Sequence, residues 1–317
     1  MSRNSLFMGG PQPAADAFDP RRRQFLGTLA LGSAALFLGG AGTATAAGKA
    51  SGLQGDVLSL LGQLRTQGLI GADEKSSWAV YDITTREKLV SINEDTPRQA
   101  ASMIKPFVAQ AFFFTVQDSG GKVRYTEGVR ETMERMIRRS SNSATNQIIS
   151  LVSRHNQSQG PAAVEKVLKR KAPTIFRDTR IVETIPPSGQ TYRNRASAHD
   201  YTRFLTAMWD NRLPYATELR SIMALPNRDR IASGVDGIPD SVKVYDKTGS
   251  TAQLCGDMGI VDARDFLGRS RPYTFVGIIE RPSSAKSYGT WIKRRGDAIR
   301  TVSDLVYREM KARHGLV

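Results

Sequence analysis

Between Asp56 and Leu69 the apolar positions Val57, Leu60, Leu61 and Leu64 recur at the spacing of one helix face. Ser77–Ile83 and Lys88–Ile92 read as strands, joined around Thr84, Thr85 and Arg86 as a hairpin. From Ser102 the pattern changes. Met103, Ile104, Phe107, Val108, Ala109, Ala111, Phe112, Phe113, Phe114 and Val116 leave no polar face, which predicts a helix buried on all sides over Ser102–Val116. Helical spacing continues over Gly128–Arg138, Ala144–Val152, Ala162–Leu168 and Ala198–Trp209. Polar, Pro-containing loops separate these, notably Asp178–Arg195. Strand character returns at Val242–Tyr245, Met258–Val261 and Tyr273–Ile279. Trp291–Met310 then reads as a helix with Ile292, Ile299, Val302, Leu305 and Val306 on one side.

The order is helix, two strands, a run of helices, three strands, helix. Strands from both ends of the chain join one antiparallel sheet only if the helical run is an insertion between them. The expectation is an α+β fold with an α/β lobe over 55–100 and 226–317, a helical lobe over 101–225, and a cleft where they meet.

The first 46 residues stand apart. Arg21, Arg22 and Arg23 precede an apolar stretch, Phe25–Gly40, that is too short and too diluted by Gly and Ser for a membrane span. Ala44-Thr45-Ala46 fits a small-residue cleavage site, placing the mature start near Ala47. Arg22-Arg23-Gln24-Phe25-Leu26 resembles a twin-arginine export signal, so the export machinery is an expected partner and a periplasmic or secreted location the expected destination.

Composition narrows the chemistry. With 317 residues and 40% apolar content the chain can bury a large core. Its net charge is +15, but Lys and Arg are spread along the sequence and no aromatic-interleaved basic stripe occurs, so no nucleic-acid partner is expected. Cys255 is the only cysteine, which excludes an internal disulfide and a cysteine zinc site; the sequence reads it as a buried small apolar residue. His155, His199 and His314 are not at metal-ligand spacings, and no G-x-S-x-G elbow is present. No metal or cofactor is expected.

Three short elements can carry chemistry. In Ser102-Met103-Ile104-Lys105 the amine lies one helical turn from the hydroxyl, and apolar neighbours favour its neutral form, a base for an otherwise weak nucleophile. Pro106 suits a first helical turn yet biases Lys105 away from helical angles. In Ser140-Ser141-Asn142 the outer residues can face one cleft, Ser140 passing a proton to a leaving nitrogen and Asn142 holding a substrate amide or Lys105. In Lys247-Thr248-Gly249-Ser250, directly after a strand, Lys247, Thr248 and Ser250 suit a substrate carboxylate. Gly249 admits close approach of substrate backbone, and the Ser102 and Ser250 amides suit an oxyanion. Each pattern is cheap alone. Ser283–Lys286 repeats the first and Ser91–Asn93 the second, and the former reads as a loop.

As an ordered set the three motifs resemble those of the class A β-lactamases and their D,D-peptidase relatives. The resemblance spans about Asp56 to Met310 and implies a five-stranded antiparallel sheet flanked by helices, with an inserted all-helical lobe. It implies acylation of Ser102 by a β-lactam or D-alanyl peptide, with Lys105 as base, Ser140 as shuttle, and Asn142, Lys247, Thr248 and Ser250 as substrate contacts. The middle motif departs from the usual S-D-N, and the stretch from Ser102 to Ser140 is short for class A. The loop that should hold a deacylating glutamate offers only Asp178 and Glu183, neither in an E-x-x-L-N context, and Glu183 is the candidate. The leading expectation is a monomeric β-lactam-hydrolysing enzyme. The alternatives are a slowly deacylating D,D-peptidase or other envelope-peptide hydrolase, and a non-catalytic cleft protein.

Overall fold

The computed structural model describes residues 52–317 apart from Gln157, so the export-signal reading lies outside the described residues. Helix α1 (Leu53–Thr66) leads into strands β1 (Lys75–Asp82) and β2 (Glu87–Ile92). The turn between them forms because the Asp82 carboxylate accepts the backbone N–H groups of Thr84 and Thr85. Short strand β3 (Arg98–Gln99) precedes a 3₁₀ turn, Ala101–Ile104. The helical run comprises α2 (Lys105–Asp118), α3 (Glu127–Ile137), α4 (Asn142–His155), α5 (Pro161–Lys171), α6 (Ala198–Trp209) and α7 (Ala216–Met223), with the two-residue β4 (Arg195–Ala196) pairing β3. Strands β5 (Lys243–Ser250), β6 (Leu254–Arg264) and β7 (Ser270–Glu280) and helix α8 (Tyr288–His314) follow.

The five long strands form one antiparallel sheet in the order β2-β1-β7-β6-β5, as the pattern reading requires. Side chains alternate across it. On β6 and β7, Met258, Ile260, Val276 and Ile278 join the core of helices α2–α7, while Val261, Tyr273, Phe275 and Ile279 join that of α1 and α8. Helix α2 is buried from Lys105 through Thr115, as its unbroken apolar run implies.

The differences from expectation are local. The buried helix does not start at Ser102, which sits in the 3₁₀ turn; the α-helix starts at Lys105. Lys105 is nevertheless helical, with φ −63 and ψ −40, despite Pro106. Its own N–H closes the turn onto the Ser102 carbonyl, and the helix it opens is buried through Thr115, which offsets the steric bias before a proline. Helix α7 escapes the pattern because it has only eight residues.

One packing detail places the nucleophile. Gly249 of β5 and Gly256 of β6 are paired across the sheet, and Met103 fills the notch they leave. A Cβ on Gly249 would lie 2.9 Å from Met103 Cγ, 3.2 Å from Ala101 Cβ and 3.3 Å from the Ala100 carbonyl. Gly249 therefore admits the turn that carries Ser102, a reason for glycine that the sequence reading of a substrate contact does not contain. Gly249→Ala should lower stability by about 1–3 kcal/mol through overpacking and slow Ser102 acylation. Urea unfolding and the rate of penicillin labelling check this.

Candidate active site

A cleft of about 280 Å³ is lined by Ala101, Ser102, Ser140, Asn142, Ile185, Gly189, Thr191, Thr248 and Ser250. All three sequence elements thus meet in one place. Larger hollows elsewhere on the helical face contain none of these residues.

Lys105 lies fully buried behind Ser102. Its Nζ is 2.5 Å from the Ser140 carbonyl, 3.1 Å from Ser140 Oγ and 3.1 Å from Asn142 Oδ1. The expected direct bond to the Ser102 hydroxyl is not among its contacts within the described residues; the amine is turned to Ser140 and Asn142 instead. Burial, reinforced by the Lys247 charge, pushes the amine down to about 6. A neutral amine has two hydrogens and one lone pair. The Ser140 carbonyl and Asn142 Oδ1 can only accept, so they take the hydrogens and leave the lone pair for a hydroxyl.

Two non-glycine residues beside this amine have left-handed backbones, Ala101 with φ +45 and Ser140 with φ +53. Such conformations persist where surrounding contacts over-determine them. Ser140 thereby presents both its carbonyl and its hydroxyl to one nitrogen. Ser141, where class A enzymes usually have Asp, caps α4 by accepting the Ala144 N–H at 3.2 Å. The departure from S-D-N leaves this cap in place, and Asn142 also donates to the Pro186 carbonyl at 3.3 Å.

Lys247 is 3% exposed and its Nζ donates to the Thr248 carbonyl at 3.0 Å. Burial lowers its pKa to about 8, with Asp246 and Asp257 pulling the other way. Ser250 Oγ accepts from Arg230 at 2.6 Å, which leaves its own proton for a substrate oxygen. Arg230 also donates to the carbonyls of Gly249, at 3.1 Å, and Gly256, at 2.7 Å, and adds positive charge at this end of the cleft. The sequence analysis missed it because no motif surrounds it. The Thr251 N–H bonds the Leu254 carbonyl, so the next pair, Ser250 and Cys255, is a non-hydrogen-bonded one. Since β5 is an edge strand, the Ser250 N–H turns to the open edge, as an oxyanion donor must.

Glu183 is not in the cleft lining. Its carboxylate accepts from Thr191 Oγ1 at 2.6 Å and the Arg193 N–H at 2.7 Å and pairs with Arg193 Nε at 3.2 Å. Partial burial works to raise its pKa, but these bonds and the Arg193 charge outweigh it and hold the carboxyl below its ordinary value. From this loop Ile185, Gly189 and Thr191 line the cleft, and Ile185 is the one fixed by its backbone to α4. Asn146, which lies in no motif, holds Ile185 by both backbone groups, donating to its carbonyl at 2.7 Å and accepting its N–H at 3.0 Å. No carboxylate is among the cleft-lining residues.

Two other readings can be placed. Cys255 is buried, and its thiol is pushed up to about 11 by that burial. His199 meets Glu94 and Asp95, a grouping no spacing revealed, but Lys88 and Arg203 already supply its cations.

The model of the β-lactamase enzyme family matches residues 65–127 and 118–310. No curated protein matches. Among solved structures, a mutant of PBP-A captured as an acyl-enzyme complex with penicillin G is 20% identical, covering 82% of this chain and 96% of that one at a TM-score of 0.63. A β-lactamase from Desulfarculus baarsii is 17% identical, covering 80% and 96% at 0.62. A class A β-lactamase representative from Bacteroides cellulosilyticus is 16% identical, covering 82% and 99% at 0.63. With its three motifs gathered around a buried amine and most of its length matched by the family model, the chain belongs to the β-lactamase enzyme family and is a serine β-lactamase-like hydrolase.

Proposed function

We propose that the protein is an exported, penicillin-recognising serine hydrolase that is acylated at Ser102 by a D-alanyl peptide or a β-lactam and releases the acyl group slowly. The observation that carries this reading is a cleft with a buried base for acylation and no carboxylate in its lining for hydrolysis.

In acylation the Ser102 proton passes to the neutral Lys105 amine through Ser140 Oγ, which lies 3.1 Å from the amine. Ser102 Oγ then bonds the substrate carbonyl carbon. The oxygen gains charge and is held by the Ser102 and Ser250 amides. The carbon–nitrogen bond breaks, and the proton returns through Ser140 to the leaving nitrogen. Lys247, Thr248, Ser250 and Arg230 hold the substrate carboxylate. To finish the cycle water must attack the ester, and Ile185 offers it no base. A PBP-A mutant of similar fold is an acyl-enzyme complex with penicillin G, which supports acylation by a penicillin in this fold.

Rapid β-lactam hydrolysis is the second reading. Thr191 lines the cleft and bonds Glu183, so a water beside Thr191 lies one hydroxyl from a carboxylate.

Mixing the protein with a fluorescent penicillin and following label and turnover separates the two. A stoichiometric Ser102-dependent label that clears over many minutes is expected, absent in Ser102→Ala. Ile185→Glu, which puts a carboxylate into the cleft, should speed clearance at least about tenfold. Rapid turnover by the wild type, abolished in Glu183→Gln, would favour the second reading instead.

The pH profile follows from the two amines. Lys105 must be neutral, so labelling should rise as pH increases through about 6. Lys247 must stay charged to hold the substrate carboxylate, so labelling should fall as pH passes about 8. Second-order labelling rates between these limbs should form a bell.

A further inference from the structure

We propose that the β6–β7 hairpin tip is a peripheral anchor for an anionic phospholipid surface. The tip runs from Asp265 to Arg269. Phe266 is 71% exposed and Leu267 60%, the former being the most exposed large apolar side chain among the described residues. Val317, at 63%, lies beside them, since its N–H bonds the Arg264 carbonyl and the Phe266 N–H bonds the Gly315 carbonyl.

This exposure is built in. The Asp265 carboxylate is buried within the turn and accepts the N–H groups of Leu267 and Arg269 and the side chains of Arg269 and Arg271. Gly268, at φ +73, closes the turn. The backbone is therefore pinned, and the apolar pair cannot fold back onto the protein without breaking these bonds. Exposed apolar groups held this way mark a contact surface.

The charge around the tip selects the partner. Arg264 bonds only the Gly268 carbonyl there, and Lys311 is exposed. Arg269 and Arg271 share one carboxylate, and Arg313 pairs with Glu87. The tip keeps a net positive charge around an apolar centre, the combination that binds an anionic bilayer from one side. A patch of three side chains is too small for a stable protein interface. Among the described residues no helix is long and apolar enough to cross a membrane, so the contact is superficial.

The geometry gives such an anchor a use, and here the inference rests on the proposed export. Strands β6 and β7 run the full length of the sheet, from the catalytic end at Ser250–Cys255 to the tip. About nine residues at ~3.3 Å each separate the two, roughly 30 Å. A molecule resting on its tip holds its cleft that far from the lipid, toward the substrates of the envelope.

The test uses the full chain carrying Leu267→Trp, read as the difference from wild type, whose Trp78, Trp209 and Trp291 give the background, so that the added indole reports the tip whatever else the chain touches. With phosphatidylglycerol vesicles containing brominated lipid, its emission should shift to the blue and be quenched. With phosphatidylcholine vesicles, or in about 0.5 M NaCl, the response should largely vanish. In sedimentation, Phe266→Ser/Leu267→Ser should bind anionic vesicles about tenfold more weakly than wild type while labelling Ser102 with fluorescent penicillin normally. Unchanged indole emission on anionic vesicles, or equal sedimentation of the double variant, overturns the proposal. So does a concentration-dependent blue shift without lipid, which would make a second copy of the chain the partner. Failure of the anchor leaves Ser102 labelling intact, whereas failure of the proposed function removes the labelling and leaves the vesicle result standing.

Discussion

The structure turns on a lysine amine that cannot afford its charge. Lys105 opens a helix buried on every side, and its nitrogen ends among a carbonyl, an amide oxygen and a hydroxyl, with a second lysine nearby. Desolvation and the neighbouring charge both favour the neutral form. The rest of the site serves that nitrogen. Ser140 holds a backbone conformation that costs about 1–3 kcal/mol and gives the amine two contacts. Asn142 fixes it from one side and ties it to the Pro186 loop from the other.

The two lysines divide the labour because their surroundings differ. Lys247 is as deeply buried as Lys105, yet Asp246 and Asp257 stand behind it and favour its charged form. Those carboxyls are themselves pushed upward, first by burial, then Asp246 by Asp257 and Asp229, and Asp257 by Asp229. Lys105 has no carboxylate among its contacts. One amine is thus kept as a cation for the substrate carboxylate and the other as a base, a separation of two like groups by environment.

Much of this was legible in the sequence. The sheet followed from strand patterns at both ends of the chain, and the all-round apolar run named the buried helix. The three motifs pointed to one cleft because each lay in a different kind of element. What stayed hidden depends on approach between distant segments. Gly249 looked like a substrate contact, but its missing side chain makes room for Met103. Arg230, Asn146 and Ile185 sit in no motif, and each matters only through what it touches. Glu183 is one of only two carboxylates in its loop, and its bonds to Thr191 and Arg193 keep it one hydroxyl back from the cleft. A local spacing rule puts the Ser102 hydroxyl on the Lys105 amine, whereas the amine bonds Ser140 and Asn142, which a distant turn brings to it.

The ionisation of Lys105 itself is the most direct measurement of the central claim. In protein labelled with carbon-13 at the lysine ε-carbons, the resonance lost in Lys105→Arg identifies this residue, and its shift can be followed against pH. The midpoint should lie near 6, the value that burial and Lys247 impose. A midpoint near ~10.4, that of a solvated lysine, would mean the amine is charged at neutral pH and is not the base for Ser102.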